Sequence, residues 1–112
     1  MALTLNDIDI NVKHGLAAAH DVATAADDLH AAYEEGVAII EDLRGYWTGD
    51  NATRYLALLT ERVERLRVRS DTLSRIAGAM RETVEVYRQD QLDQHYQELY
   101  ECEKDAEQKD RQ

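Results

Sequence analysis

The chain of 112 residues has no proline, no phenylalanine, five glycines and a single cysteine. Because proline breaks helix interiors, its absence leaves room for long uninterrupted helices. Cys102 alone cannot form a disulfide within the chain, and it excludes a cysteine-based metal site in one copy. Apolar runs are only a few residues long, so we expect no stable membrane insertion. A chain of this length fits one small domain.

A basic segment followed by an apolar block, the pattern of a secretory signal peptide, is missing from the first ten residues, MALTLNDIDI. Charge is distributed unevenly along the sequence. Residues 1–50 carry ten acidic and two basic side chains, residues 51–90 carry six acidic side chains and eight arginines, and residues 91–112 carry seven acidic and three basic ones. We expect the acidic first half to pair with the basic segment, and the net charge of −10 to repel nucleic acid and anionic lipid.

Two heptad patterns indicate two helices, because apolar residues spaced alternately by three and four line one helix face. The first runs through Ala19, Val22, Ala26, Leu29, Tyr33, Gly36, Ile40, Leu43 and Trp47, with Val12 and Leu16 upstream. The second runs through Ala52, Leu56, Leu59, Val63, Leu66, Ser70, Leu73, Ala77, Met80, Val84 and Tyr87. Asn6 or Asp7 is the expected N-cap of the first helix, and Asp50 or Asn51 that of the second.

The patterns predict helix 1 over about residues 7–44, a turn over 45–50 and helix 2 over about 51–90. A turn this short makes the two helices antiparallel neighbours. The heptad positions after Tyr87 are polar, so residues 91–112 are predicted to be a helical extension and a charged flexible tail. Residues 1–90 therefore form an all-α, antiparallel two-helix hairpin, and Trp47 closes its turn end.

A further apolar set on helix 1 predicts that the hairpin pairs with a second one. Small side chains let another helix approach closely, whereas helix 2 carries Arg62, Arg65 and Arg69 away from its seam. We therefore expect helix 1 to lie inside a four-helix bundle and helix 2 outside it. The residues assigned to this dimer interface are Leu16, Ala18, Ala23, Ala25, Ala32, Val37 and Ile39.

With Trp47-Thr48-Gly49 between two heptad helices at mid-chain, the sequence resembles the WXG family, the early-secreted-antigen-like small proteins of bacterial type VII secretion. The resemblance covers about residues 5–90. It implies a folded substrate that is made in the bacterial cytoplasm, needs no cleaved signal peptide and is secreted as a dimer. It also implies that Trp47, Thr48 and Gly49 take part in recognition by the secretion ATPase.

The family's tail signal is a tyrosine followed four residues later by an acid. Tyr87 is followed by Gln91 at that distance, and Asp90 lies three residues after Tyr87. Since positions three and four apart share a helix face, Tyr87 and Asp90 are the candidate tail half of the recognition site. The chain then acts as an effector, or as a carrier or targeting partner that pairs with a related hairpin or with the N-terminal domain of a co-secreted toxin.

Other constellations favour neither catalysis nor cofactor binding. Asp27, His30 and Glu34 share a helix face, but helix 2 offers no facing ligand set, so we expect a solvated histidine and no metal. The sequence has no glycine-rich phosphate loop and no serine–histidine pair at motif spacing. We therefore expect no enzyme activity, no cofactor and no nucleic-acid partner. The alternative function is an intracellular structural coiled-coil adaptor that has no role in secretion.

Overall fold

The computed structural model describes residues 3–110, which form two long α-helices and no strand. Helix α1 spans Leu5–Arg44 and helix α2 spans Asp50–Asp110. The predicted all-α architecture with two long helices is confirmed. Helix α2 continues through the segment that the sequence assigns to an extension and a charged tail; residues 1, 2, 111 and 112 of the predicted ranges lie outside the described residues. Over this part of the chain, neither helix has a stretch apolar enough to cross a membrane.

The N-terminus of α1 is capped by a residue other than the two expected. The backbone N–H of Asp7 donates to Thr4 Oγ1 at 3.1 Å, and the Thr4 N–H donates to Asp7 Oδ2 at 3.3 Å. This reciprocal pair is a capping box, which satisfies two N–H groups that a helix end leaves without partners. Thr4 is therefore the N-cap, and Asp7 contributes to the capping box as the third residue of the helix. The prediction of Asn6 or Asp7 as N-cap is wrong.

The chain divides into two compact units, which are described separately. Unit 1 comprises Met1–Ala19 and Ala79–Gln112, and unit 2 comprises His20–Gly78. Each unit therefore contains a segment of α1 and a segment of α2. Unit 2 also contains the turn between the helices.

In unit 2 the two helix segments pack antiparallel. Ser70 Oγ donates to the backbone carbonyl of Ala26 at 2.8 Å, and Gly36 lies against Val63. The buried residues are Ala26, Ile40, Leu56, Ser70 and Ala77, each of which is a predicted seam position. The other seam positions in unit 2, except Trp47, are half-buried. Small side chains at the contacts let the helices approach closely.

In unit 1 the helix segments are also antiparallel, since Asn11 contacts Tyr87 and Gly15 contacts Val84. Ile8 and Ala19 are buried. The upstream seam position is Gly15, which is half-buried, whereas Leu16 is 44% exposed. The assignment of Leu16 to the seam is therefore wrong. Spacing of three or four fits both residues, and a glycine carries no hydrophobic signal in the sequence.

Candidate functional site

The turn between the helices is held by backbone hydrogen bonds from both sides. The N–H groups of Tyr46 and Trp47 donate to the Leu43 carbonyl at 3.0 and 2.8 Å, which closes the end of α1. On the other side, the Gly49 carbonyl accepts from Thr53 N at 3.1 Å and from Thr53 Oγ1 at 3.2 Å. Gly49 thus occupies the N-cap position of α2, and the prediction of Asp50 or Asn51 there is wrong.

Trp47 lies within this turn, after the last helical residue of α1, and is 42% exposed. Its side chain borders a depression that is also lined by Arg44, Thr53, Leu56, Ala57 and Thr60. Tyr46 beside it is 76% exposed, and Thr48 and Gly49 are also exposed. A half-exposed indole offers a large apolar surface and one N–H donor to a partner, which is typical of residues that anchor protein contacts.

Gly49 has φ of +97°, a backbone conformation that side chains with a Cβ resist. We expect Gly49→Ala to lower the free energy of unfolding by about 1–2 kcal/mol, because alanine must either accept this strain or open the turn. Urea unfolding followed by circular dichroism measures the change. Gly45→Ala is the control in the same turn, since Gly45 has no positive φ; an added Cβ there makes one tight contact, 3.3 Å from the Asp42 carbonyl oxygen, so a smaller loss is expected. Equal stability of the two variants would contradict the assignment of strain to Gly49.

Tyr87, the first residue of the candidate tail pair, is engaged within unit 1. Asn11 Nδ2 donates to the Tyr87 hydroxyl at 2.7 Å, and the tyrosine is half-buried. Asp90 is exposed almost one turn further along α2. The sequence analysis missed the contact to Asn11, because a polar residue beside a heptad seam carries no distinguishing signal. Trp47, Thr48 and Gly49 belong to unit 2, whereas Tyr87 and Asp90 belong to unit 1.

The apolar residues assigned to the dimer interface of α1 divide into two sets. In unit 2, Ala25 and Ala23 lie on opposite sides of buried Ala26, at about 100° and 60° around the helix axis. Ala25, Ala32 and Ile39 form one flank of the buried seam, and Ala23 and Val37 form the other. All are exposed except Ala23, which is half-buried; Leu16 and Ala18 in unit 1 are exposed. The residues of unit 2 in this set therefore lie on both sides of the buried seam.

Ion pairs do not join the acidic first half to the arginines, contrary to the expectation from charge. Every ion pair among residues 3–110 links side chains three or four positions apart within one helix. Arg65 pairs with Glu61 at 3.2 Å, and Arg67 pairs with Glu64 and Asp71. The hydrogen bond from Arg67 holds the pKa of the Glu64 carboxyl below its usual value and raises the pKa of the Arg67 guanidinium.

The outer surface of α2 in unit 2 is less polar than the sequence analysis predicts. Leu58, Val68 and Ile76 are 43%, 49% and 44% exposed among the arginines. Across the part of the chain that the structure covers, His30 pairs with Glu34 at 3.0 Å, and no three metal-ligating side chains cluster. Comparisons with protein families, curated proteins and solved structures find no match for the chain.

Proposed function

We propose that this chain is a WXG-type protein of bacterial type VII secretion, which forms a dimer through α1 and is exported as a folded helical hairpin. In this proposal Trp47, Thr48 and Gly49 form the surface that the secretion ATPase reads. The observation that carries it is the turn itself. A proline-free pair of long helices is interrupted once, and the interruption places the only tryptophan half-exposed beside a glycine with positive φ.

The tail half of the signal favours export with a partner. The hydroxyl of Tyr87 is bonded to Asn11, and the acid that follows stands three residues away instead of four. Asp90 remains exposed, so the pair presents a carboxylate but only part of the tyrosine. If the Trp47 turn alone is enough for recognition by the secretion ATPase, the chain is exported by itself as an effector. Otherwise it is exported as the carrier or targeting partner of a toxin that has a complete tail signal.

Pairing through α1 is supported by the exposed apolar flanks beside its seam. A helix with apolar residues on both sides of its buried stripe can contact two further helices, as in a four-helix bundle. The partner is a second copy or a related helical hairpin. Ala25, Ala32 and Ile39 would lie against it, and their small or branched side chains leave little bulk between the backbones.

Alanine-to-glutamate substitutions test this interface, since α1 offers matched positions. We expect Ala25→Glu with Ala32→Glu to convert a dimer near twice 12.8 kDa to a monomer, because charges would be buried between helices. Light scattering after size exclusion in reductant gives the mass. Ala17→Glu with Ala31→Glu is the control, since both residues are exposed and point away from the seam and its flanks. Dimers of equal stability in both variants would exclude this interface.

The rival function, an intracellular structural adaptor, makes the opposite prediction about location. Export through a type VII machinery is tested by comparing culture supernatants of the native host with those of a strain whose secretion ATPase is inactive. A chain that stays in the cells of both strains, and that never leaves with a co-expressed toxin, supports the adaptor.

A further inference from the structure

In unit 2, α1 carries a stripe in which acidic and apolar side chains alternate at spacings of four and three. The stripe falls within about 100° of the helix circumference. All its members are exposed, and its acids form no ion pair among residues 3–110. The members of this α1 stripe are Asp21, Ala25, Asp28, Ala32, Glu35, Ile39 and Asp42.

In the same unit, α2 carries a stripe with the same spacing and the opposite charge. It falls within about 80° of the circumference, and no acidic residue of α2 in unit 2 lies in that sector. Arg65 pairs with Glu61 at its edge, whereas Arg62 and Arg69 have no ion-pair partner among the described residues. The members of this α2 stripe, all of them exposed, are Leu58, Arg62, Arg65, Arg69, Thr72 and Ile76.

The two stripes lie on the same face of the hairpin in unit 2. On each helix the stripe is about 100° from the buried seam, and the rotation from seam to stripe has the same sense on both helices. Because the helices are antiparallel and turn their seams toward each other, equal rotations bring both stripes to one face. This face therefore presents an acidic row beside a basic row.

The opposite face of the hairpin in unit 2 has acids on both helices. Asp27, Glu34 and Glu41 lie there on α1, and Glu64 and Asp71 lie there on α2. A second copy packed on that face would bring acids against acids. Charge complementarity between copies is thus available on the face with the two stripes.

We propose that two copies pack through this face, so that the α1 stripe of each copy lies on the α2 stripe of the other. A two-fold axis parallel to the helices produces this arrangement and makes the contact twice. Neighbouring helices are then antiparallel all round a four-helix bundle. Both helices contribute to the interface, whereas pairing of α1 with α1 would leave the arginines of α2 outside.

The contacts within the hairpin fix which residues of the two stripes would be level. Ala26 contacts Ser70 and Gly36 contacts Val63, and the residue numbers of these pairs add to 96 and 99. A two-fold axis parallel to the helices leaves every residue at its height along the bundle. The same relation therefore connects α1 of one copy with α2 of the other.

By this relation the acids of the α1 stripe meet arginines of the second copy. Asp28 is level with about residue 70, next to Arg69, and Glu35 is level with about residue 63, between Arg62 and Arg65. Each offset is within about 3 Å along the axis at 1.5 Å per residue, which an arginine side chain can span. The match in height supports a second copy as the occupant of this face.

The same arrangement brings apolar side chains together. Ile39 is 54% exposed and is level with about residue 59, next to Leu58 of the second copy, which is 43% exposed. The alanines between the acids of the α1 stripe let the helices approach closely. This inference rests on the dimer of the proposed function and gives it a geometry, but it does not depend on export.

Charge reversal in the full chain tests this contact, measured by sedimentation equilibrium in reductant at low ionic strength. The α1 variant is Asp28→Arg with Glu35→Arg, and the α2 variant is Arg62→Glu with Arg69→Glu. We expect each variant to dimerise with a dissociation constant about tenfold or more above that of the wild type, because like charges then meet in both copies of the contact. An equimolar mixture should dimerise like the wild type, since each pair of stripes in the heterodimer again joins acids to arginines.

Arg75→Glu with Arg81→Glu is the control, because it changes the net charge as much as the α2 variant does. Both arginines lie outside the α2 stripe and form no ion pair among residues 3–110, so this variant should dimerise like the wild type. Circular dichroism establishes that each variant remains helical.

The outcomes separate this geometry from the dimer itself. An α2 variant that stays dimeric, which pairing of α1 with α1 predicts, would overturn the contact and leave the dimer standing. A mixture that fails to recover, or equal weakening by the control, would also overturn the contact. A monomeric wild type would overturn both the contact and the dimer of the proposed function.

Discussion

Trp47→Ala is expected to abolish export of the chain while leaving its helices intact. Trp47 lies in the turn after the last residue of α1 and is 42% exposed, so its removal takes away a large surface that a partner could contact and leaves both helices in place. Anchoring aromatic residues at protein contacts often contribute about 2 kcal/mol or more, enough to reduce binding about thirtyfold. Quantitative immunoblotting of culture supernatants against cell pellets measures the change.

Tyr46→Ala is the matched control for this prediction. Tyr46 is the preceding residue, is 76% exposed and lies outside the Trp-x-Gly motif. The substitution Tyr46→Ala removes an aromatic ring from the same turn and leaves the proposed recognition residues unchanged. Export should continue for Tyr46→Ala, and both variants should keep the wild-type circular dichroism spectrum. Normal export of a folded Trp47→Ala protein would refute the recognition role of the turn.

Gly36→Ala is expected to destabilise the fold, although alanine is the better helix former. A Cβ added at Gly36 would lie 2.8 Å from Val63 Cγ2 and 3.1 Å from Val63 Cγ1. Valine is stiff at χ1, so it cannot easily turn away. Overpacking of this kind costs about 1–3 kcal/mol, against a gain of about 1 kcal/mol in helix propensity.

Gly78→Ala supplies the comparison, because no atom lies within 4 Å of a Cβ built at that position of α2. The same exchange there should raise the free energy of unfolding by about 0.5–1 kcal/mol. The two variants should therefore differ by about 2 kcal/mol in thermal or urea unfolding. Val63→Ala should relieve part of the cost in the Gly36→Ala background. Stabilisation by Gly36→Ala equal to that by Gly78→Ala would contradict the close helix approach at Gly36.

Much of the seam could be predicted from the sequence, since helix periodicity is a local property. The positions from Ala19 to Leu43 and from Ala52 to Tyr87 are buried or half-buried in the structure. The pattern failed where side-chain size or hydrogen bonding decided. Gly15 replaced Leu16 at the contact with Val84, and Thr4 capped α1 because its hydroxyl reached the Asp7 N–H.

Charge patterning predicted the ion pairs poorly, because acids three or four residues away on the same helix are nearer to an arginine than acids on the other helix. Arg65 and Arg67 pair with acids three or four residues away, which leaves no need for partners on α1. The apolar set that the sequence assigns to pairing through α1 is mostly exposed in the structure, and the pairing itself stays a prediction. The exposed apolar residues Leu58, Val68 and Ile76 on α2 could not be predicted, since they lie among charges and form no continuous run.

The measurement that tests the central claim most directly is the amount of the chain in cell-free culture supernatant of the native host. A cytoplasmic protein released only by lysis serves as the reference. The proposed function predicts that the chain is enriched over this reference, alone or with a toxin partner, and that enrichment disappears when the secretion ATPase is inactive. A chain that follows the lysis reference in both strains would contradict export and leave the structural adaptor as the function.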